Sequence, residues 1–506
     1  MVYFFDDCSI CAAEGLVRVP GPVEKLGPVL QPDRPSDGRR CMSFASSIVR
    51  LADKSLRMYY SVSHFPKNMR GIAVAASQDG LHWEKPDLGQ VQEDGKDTNR
   101  LAFQGLPEGV FRCGQPQVFQ LAEDSWRMYF WVHDRPYLRY TVAESRDGLR
   151  WHVPDFERPV IIHPLELGSW IWTAGMPPAG EKGEGPGRKS LDRFASGGEA
   201  RWGHLLERLD AAELVRLKGL RANDAAYVFR DPHTGLHEFF APWPVSNPEG
   251  SPRRVGHDNA PFMLRAIHRR TSSDGLEWSG AELVIAPDER DRLDQQFYYL
   301  AVHRQDEWRI GMLGSYPVHD QTMDIELCFS RDGRRWERPV RAPWVPRGPE
   351  GTADAGMVYA PNCLVDSGDH WLLLYTASPH RHNESRTQDD SRVQASVHAA
   401  RFPKRRFLGL AARGAGAGIL LTRPFILNGT ELCADLRVDG WLRAELCDPF
   451  GRPLPGFEKG RFQIFTGDDT AHVLRWNGVT TEHYLYNAVS LRLEVERGEI
   501  YCIHWH

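Results

Sequence analysis

The sequence has no block of basic residues and no long apolar run, and these two absences exclude several classes of protein. Lysine and arginine number 62 against 67 aspartate and glutamate residues, which gives a formal net charge of −5. A nucleic-acid-binding surface normally shows a clustered excess of positive charge, so nucleic acid is not an expected partner. No stretch reaches the roughly 18 apolar residues that a membrane-spanning helix needs, so no membrane partner is expected.

Cysteine is scarce and scattered. The nine cysteines are an odd number, and Cys8 and Cys11 form a C-x-x-C pair with no second pair to complete a zinc site. We therefore expect reduced thiols, no metal and no cofactor. The opening residues MVYFFDDCSICAAEG carry two aspartates and no basic segment, unlike a secretory signal. A cytoplasmic protein is favoured, and a secreted chain without its signal would look the same.

The sequence does contain a repeated phrase, S-x-D-G-x-x-W. It occurs at Ser77–Trp83, Ser145–Trp151, Ser272–Trp278 and Ser330–Trp336. Asp-Gly favours a tight hairpin turn, because glycine accepts a positive φ and the aspartate can bond its own backbone. An alternating strand precedes each phrase (IAVAAS, YTVAES, AIHRRTS and IELCFS), so each phrase predicts a hairpin.

Five aromatic strands lie upstream of these hairpins or in an equivalent place. They read RMYYSV, RMYFWV, HEFFAPW, WRIGMLGS and WLLLYTA, and each follows a shorter apolar strand and a polar turn. Five units of about four strands predict an all-β fold, a five-bladed β-propeller over 46–404. A sandwich is the alternative, but it would not repeat one turn chemistry at a fixed place in each unit.

The rest of the chain divides into three segments. Residues 1–45 form an N-terminal extension that either crosses the central face or helps to close the ring. An insertion at about 165–222 is amphipathic and predicted to be helical. Short alternating strands over 405–506 predict a smaller β-sandwich domain. The oligomeric state is not predicted.

The inner strand of a propeller blade starts at the same rim where the antiparallel second strand ends. Three inner strands carry an aspartate just before their apolar run, at Asp224, Asp294 and Asp354. Converging carboxylates can act as acid and base at a glycosidic bond, and crowding raises one pKa. The alternative for each aspartate is a turn residue.

Polar and aromatic residues at the same rim are predicted to bind substrate, since flat aromatic faces stack on sugar rings. Each aromatic residue could equally be part of the core, and a metal site at His380–His382 would lack further ligands. The predicted substrate-binding residues are His64, Gln115, Trp131, His133, Asp134, Trp243, Tyr316 and His380.

The aromatic strand pair followed by S-x-D-G-x-x-W-x-x-P resembles the five-bladed propeller glycoside hydrolases over about 40–404. That superfamily includes the invertase/levanase group, the arabinanase/xylosidase group and mannosidic phosphorylase relatives. GRPLPGF and GDDTAHVLRWNG resemble the accessory sandwich of the invertase group. The resemblance implies three catalytic acids at consecutive inner strands: a nucleophile or base, a charge stabiliser and a glutamate general acid.

The sequence departs from that pattern at several points. Its acids lie on the third, fourth and fifth units, none is glutamate, and the invertase start W-x-N-D-P-N-G is absent. Arg230-Asp231-Pro232 looks like the invertase R-D-P motif but follows its strand, so we interpret it as structural. The repeated phrase also resembles the sialidase Asp-box, which is one residue longer and belongs to six-bladed propellers.

These observations predict a glycoside hydrolase with an oligosaccharide or glycoside as partner. An exo-acting fructosidase or furanosidase is the expected subclass. Asp224, Asp294 and Asp354 would share the roles of base or nucleophile, acid and charge stabiliser, in an order left open. A non-catalytic carbohydrate-binding propeller and a glycoside phosphorylase are the alternatives. The sugar, the linkage and the stereochemical outcome are not predicted.

Overall fold

The computed structural model describes residues 1–64, 69–107, 112–133, 138–156, 160–162, 224–246, 251–253, 263–382, 384, 393–414 and 416–506. The insertion predicted at about 165–222 lies outside these residues. Almost all regular structure in the described part is strand, with short 3₁₀ helices at Pro35–Asp37 and Thr481–Tyr484. None of the described helices has the length and apolar character needed to cross a membrane.

The first strands of the chain belong to two different parts of the molecule. They are β1 (Val2–Tyr3), β2 (Ile10–Glu14), β3 (Leu16–Pro20) and β4 (Glu24–Leu30). The first three pair with strands near the end of the chain and form part of a second β-domain. The fourth pairs with the last blade of a ring.

Blades one and two follow. Blade one has an interrupted inner strand, β5 (Cys41–Met42) and β6 (Ile48–Arg50), then β7 (Leu56–His64) and β8 (Met69–Ser77), with a hairpin of β9 (Gln92–Glu93) and β10 (Lys96–Asp97). Blade two contains β11 (Phe103–Gln104), β12 (Arg112–Ala122), β13 (Ser125–His133), β14 (Leu138–Ser145), β15 (Trp151–His152) and β16 (Ile161–Ile162). In both blades the second strand pairs antiparallel with the inner and the third strand.

Blades three to five repeat this order. Blade three contains β17 (Tyr227–Arg230), β18 (His237–Ser246), β19 (Met263–Ser272) and β20 (Glu282–Ile285). Blade four contains β21 (Gln295–Gln305), β22 (Trp308–Pro317) and β23 (Asp324–Ser330). Blade five contains β24 (Met357–Tyr359), β25 (Val365–Ser367), β26 (His370–Ser378) and β27 (Ser396–Pro403). The predicted five-bladed β-propeller is confirmed.

The ring is closed by a strand from the start of the chain. β4 pairs antiparallel with β27, with Leu30 opposite Val397 and Glu24 opposite Arg401. It thereby supplies the outermost strand of blade five. Of the two roles left open for residues 1–45, β4 performs ring closure.

The repeated phrase forms the turn that its sequence predicts. In blade one, Gly80 N donates to Ser77 Oγ at 2.8 Å, and Trp83 Nε1 donates to Gly80 O at 2.9 Å. The four glycines have φ between 71° and 79°, a region where a Cβ is strained. The same serine–glycine bond recurs at Ser145–Gly148, Ser272–Gly275 and Ser330–Gly333.

These turns also join neighbouring blades. Tyr59 Oη donates to Gly148 O and Tyr129 Oη donates to Gly275 O, both at 2.7 Å, so each tyrosine holds the turn of the next blade. Blade three uses charge instead. Its fully buried Glu238 accepts hydrogen bonds from Arg269 and Arg309, at 3.0 and 2.8 Å. The repeated turn is therefore a structural joint at the periphery of the ring.

Aromatic side chains from four blades meet at the ring axis. The ring centroid of Phe44 in blade one lies 6.0 Å from Tyr227, 5.6 Å from Tyr299 and 4.7 Å from Tyr359. All four side chains are buried. Because they pack against one another beside the inner strands, we expect them to form a floor beneath a ligand bound at the rim.

The second domain is a nine-stranded sheet that encloses its own apolar core. Its strands beyond the N-terminal three are β28 (Leu408–Ala412), β29 (Gly418–Thr422), β30 (Phe425–Ile426), β31 (Leu432–Cys447), β32 (Phe465–Val473) and β33 (Ala488–Trp505). β31 and β33 pair along their whole length, from Leu432 opposite Trp505 to Cys447 opposite Ser490.

The second domain packs on blade four through its N-terminal residues. Phe5 stacks on Phe329 at 4.2 Å between centroids and meets Trp308 edge-on at 5.3 Å. Tyr3 Oη donates to Asp306 Oδ2 at 2.7 Å. These buried aromatic contacts join the two domains across one continuous core.

Candidate functional site

The rim that the sequence singles out is the edge where inner strands start and second strands end. In blade four, Gln295 at the start of β21 lies opposite Pro317 at the end of β22. In blade five, Met357 of β24 lies opposite Ser378 of β26. We call this edge the upper rim.

A break in the inner strand shapes the upper rim in three blades. Ala45, Gln115 and Ala225 all have a positive φ, at 47°, 55° and 65°. Each stands three residues before an apolar strand residue, and β12 shows a register shift there, between Gly114 and Gln117. Such bulges re-aim side chains and cluster near functional sites.

Three predicted residues come together around Tyr140 of blade two. Tyr140 Oη donates to Gln115 Oε1 at 2.7 Å, and the Trp131 ring lies 4.8 Å from the Tyr140 ring. Burial raises the pKa of Tyr140 well above its usual value, and the nearby Asp224 carboxylate adds to this effect. A hydrogen bond from Ala226 N lowers the pKa but does not cancel the rise. The Asp224 side chain is half-buried. A carboxylate, an indole and an amide thus share one corner of the upper rim.

Asp294 lies buried at the start of blade four's inner strand. Its carboxylate accepts hydrogen bonds from Arg292 Nε at 3.0 Å and from His319 N at 3.1 Å. Arg292 also donates to Asp320 at 2.6 Å. Asp294 is therefore a paired carboxylate at the upper rim.

Asp354 lies just before β24, the inner strand of blade five, with 6% of its surface exposed. Lys25 Nζ of β4 lies 2.6 Å from its Oδ2, and Thr352 Oγ1 donates to its Oδ1 at 3.1 Å. Burial acts to raise the pKa of Asp354, but the hydrogen bond and the charge of Lys25 outweigh it, and the pKa is lowered. Asp354 is thus held in its ionised form.

Two of the three predicted carboxylates, Asp294 and Asp354, have separate partners. Among the described residues no hydrogen bond or ion pair joins any two of Asp224, Asp294 and Asp354. Their assignment as one catalytic set stays a prediction.

Tyr316 belongs to a cluster on the upper rim that sequence reasoning largely missed. We call Arg265, Gln296, Tyr298, Tyr316 and His382 the Arg265 cluster. The buried guanidinium of Arg265 lies 4.9 Å from the Tyr298 ring and 5.6 Å from the Tyr316 ring, as in cation–π pairs. Tyr298 Oη and His382 Nε2 are 3.0 Å apart, and Arg265 Nη1 donates to Gln296 Oε1 at 3.3 Å. Three blades contribute to this cluster.

A fourth carboxylate at the upper rim, Asp324, begins the third strand of blade four. Burial raises its pKa, although Arg347 Nε donates to it at 2.8 Å and opposes the shift. The sequence signals at this rim come from inner-strand starts and second-strand ends, and Asp324 stands instead at the start of a third strand. A carboxyl with a raised pKa can keep a proton to donate.

The remaining predicted substrate-binding residues lie in the sequence near or just beyond the ends of second strands. Trp243 is half-buried in β18 opposite Ala266, and His380 is buried just beyond β26. His64 ends β7 and His133 ends β13, but their side chains, like all of Asp134, lie outside the described residues.

Asp231 of the R-D-P motif lies at the opposite rim, after β17. It is buried and accepts a hydrogen bond from Arg309 Nη2 at 2.9 Å and another from His233 N at 2.9 Å. This buried ion pair fits the structural interpretation of the motif.

No profile of a known protein family and no curated protein matches this chain. Solved structures do. A glycoside hydrolase has a TM-score of 0.47 and 12% identity, covering 76% of this chain and 92% of that one. An N-acetylgalactosamine deacetylase from F. plautii, in complex with blood group B trisaccharide, has a TM-score of 0.43 and 14% identity. That match covers 78% of this chain and 97% of that one. The β-1,2-mannobiose phosphorylase from Listeria innocua has a TM-score of 0.41 and 10% identity, and the match covers 76% of this chain and 97% of that one.

Likenesses this distant carry no argument about activity. The specific resemblance to the invertase and levanase group is not confirmed by these comparisons. The residues of the upper rim must therefore carry any argument about function.

Proposed function

We propose that the protein is a glycoside hydrolase that binds its sugar at the upper rim of the propeller. The observation that carries the proposal is the corner around Tyr140, where Asp224, Trp131 and Gln115 meet. An aromatic face, an amide and a carboxylate form the set that stacks on a sugar ring, bonds its hydroxyls and acts at its glycosidic bond. The aromatic side chains at the axis supply a floor.

The environments of the carboxylates support a division of roles. Asp354, with its pKa lowered beside Lys25, stays ionised and suits stabilisation of positive charge or nucleophilic attack. Asp324, whose pKa burial raises, suits proton donation. Asp294 and Asp224 remain candidates for the base. No cofactor is needed for this chemistry.

The Arg265 cluster would contribute to recognition. Its half-buried Tyr298 hydroxyl and His382 imidazole are polar groups that pair with each other and can exchange that bond for sugar hydroxyls. The guanidinium of Arg265 holds the two tyrosine rings in place. A fructosidase or furanosidase specificity is a further expectation of this proposal.

A non-catalytic carbohydrate-binding propeller is the second candidate. The ion pairs of Lys25 with Asp354 and of Arg292 with Asp294 favour it, because they neutralise two of the three predicted acids.

A phosphorylase is favoured by the guanidinium groups of Arg265 and Arg292 at the same rim, since phosphate needs a basic pocket.

Sugar release separates these candidates. The full chain is incubated with a panel of aryl glycosides and fructans, with and without inorganic phosphate, and reducing ends and sugar phosphates are measured. A hydrolase releases free sugar at a rate independent of phosphate. Rates that need phosphate identify a phosphorylase, and binding of a panel member with no turnover identifies a binding protein.

A further inference from the structure

Two paired strands of the second domain, β31 and β33, place three metal-ligand side chains on one face. Cys433 of β31 lies directly opposite His504 of β33. Two residues on, Glu431 and His506 exchange backbone hydrogen bonds of 3.2 and 3.1 Å, so the ladder continues to the end of the chain. Because side chains in a strand alternate with a period of two, Cys433, His504 and His506 share a face.

The ligand atoms of these side chains lie close together. The Cys433 Sγ and one ring nitrogen from each histidine are all within 4.8 Å of one another. The two imidazole centroids are 5.0 Å apart. Cys433 and His504 are buried and His506 is exposed, so the group opens to solvent on one side.

The hydrogen bonding of His504 prepares it as a ligand. Its Nε2 lies 3.3 Å from the carbonyl oxygen of Thr470, an acceptor, so Nε2 carries the proton and donates. A neutral ring protonated there leaves a lone pair on Nδ1. His504 is 2% exposed, and its Nδ1 is buried with no hydrogen-bond partner in the described part of the chain. A backbone carbonyl that fixes the tautomer is the usual support of a metal-ligating histidine.

We propose that Cys433, His504 and His506 bind one zinc-class divalent metal ion, with a water molecule as the fourth ligand. Thiolate and imidazole together select a borderline-soft ion such as Zn²⁺ over Mg²⁺ or Ca²⁺, which prefer oxygen. On binding, the Cys433 thiol releases its proton to solvent and the sulfur bonds the metal, with no change in oxidation state.

The three ligand atoms need to move only slightly to reach the spacing of a tetrahedral zinc site. Zinc–sulfur and zinc–nitrogen bonds of about 2.3 and 2.1 Å put tetrahedral ligand atoms about 3.5 Å apart. The exposed His506 ring can rotate to close the present separation. The metal would tie the end of β33 to β31, and it lies in the second domain rather than at the upper rim.

Zinc binding by the full chain, without an affinity tag and stripped with a chelator, tests the proposal. Native mass spectrometry should show one Zn²⁺ per chain, and Co²⁺ should give a thiolate-to-metal charge-transfer band. Cys433→Ser should abolish that band, and His506→Ala should weaken zinc binding at least ~10-fold. Cys447→Ser is the matched control, since Cys447 is also buried in β31 but lies outside the group.

Two results would overturn the proposal. One is a wild-type chain that takes up no zinc at micromolar concentrations. The other is zinc affinity that is the same in wild type, Cys433→Ser and His506→Ala. His506 is exposed, so its substitution leaves the core intact, and circular dichroism identifies any variant that fails to fold. None of these readouts depends on glycan activity.

Discussion

Lys25 Nζ of the ring-closing strand lies 2.6 Å from Asp354 Oδ2 at the start of blade five. One ion pair thus links the closure of the ring to a predicted catalytic carboxylate. The side chains are 30% and 9% exposed, so the pair is mostly shielded from water.

Replacing Lys25 should therefore destabilise the fold. Lys25→Gln leaves Asp354 without its cation, and we expect a loss of about 1–3 kcal/mol in the free energy of unfolding, measured by urea denaturation at pH 7. Arg401→Gln is the control, because Arg401 pairs with the adjacent Glu24 at an exposed position and should cost less than about 1 kcal/mol. Equal losses would contradict a special role for Lys25.

The same pair predicts a pH dependence. The folded pKa of Asp354 is lowered from its ordinary value of 3.8, so the pair contributes fully above that value. Its contribution disappears as the pH falls through the lower folded pKa. The stability difference between wild type and Lys25→Gln should thus be constant near neutral pH and shrink below about pH 4. If the stability difference between the two proteins stayed unchanged down to pH 2, the ion pair of Lys25 with Asp354 would not be its source.

The joint between blades one and two can be tested with two glycines. Gly148→Ala places a Cβ 2.7 Å from Tyr59 Oη, in addition to the strain of a φ of 71°. Gly89→Ala, at a φ of 65° with nothing within 4 Å, carries the strain alone. We expect about 1 kcal/mol of destabilisation for Gly89→Ala and about 2–4 kcal/mol for Gly148→Ala by thermal or urea unfolding. Similar losses would mean that the turn does not hold the neighbouring blade.

Asp324→Asn tests the proton donor. If Asp324 donates the proton, the variant should lose about 10²–10⁴-fold in kcat on a substrate that needs protonation of its leaving group. It should lose less on an aryl glycoside with an acidic leaving group, which leaves without help. Asp332→Asn, in the structural turn at the end of the same strand, is the control. Equal effects on both substrates would assign Asp324 a structural role.

The Arg265 cluster should affect substrate binding more than turnover. Tyr298→Phe removes the hydroxyl that meets His382, and a loss of about 1 kcal/mol corresponds to a KM about fivefold higher. Tyr129→Phe is the matched control, because its hydroxyl bonds Gly275 O in a peripheral turn and should lower stability without changing KM. An unchanged KM in Tyr298→Phe would remove the cluster from the binding site.

Local signals in the sequence were sufficient for the blades. Asp-Gly specifies a turn within a few residues, and the expected positive φ of Gly80 and the hydrogen bonds from the Leu81 and His82 backbone N to Asp79 Oδ1 are all present. Strand order predicts that Gln115 and Trp131 lie at the same rim, and in the structure Trp131 lies opposite Gly114, the neighbour of Gln115.

Long-range pairings could not be predicted. Lys25 and Asp354 are 329 residues apart, and β4 (EKLGPVL) contains glycine and proline, which weaken any strand signal. Cys433 and His504 likewise become neighbours only through the β31–β33 register. Tyr298 and Asp324 sit in ordinary strand patterns, and only packing and burial distinguish them.

The most direct test of the central claim is the turnover of Asp224→Asn, Asp294→Asn and Asp354→Asn on the best substrate of the panel. The account predicts that at least two of them lose about 100-fold or more in kcat/KM while remaining folded. Asp147→Asn, in a peripheral turn where the retained oxygen can still accept its backbone hydrogen bonds, should keep full activity. Full activity in all three upper-rim variants would contradict glycoside hydrolysis by these carboxylates.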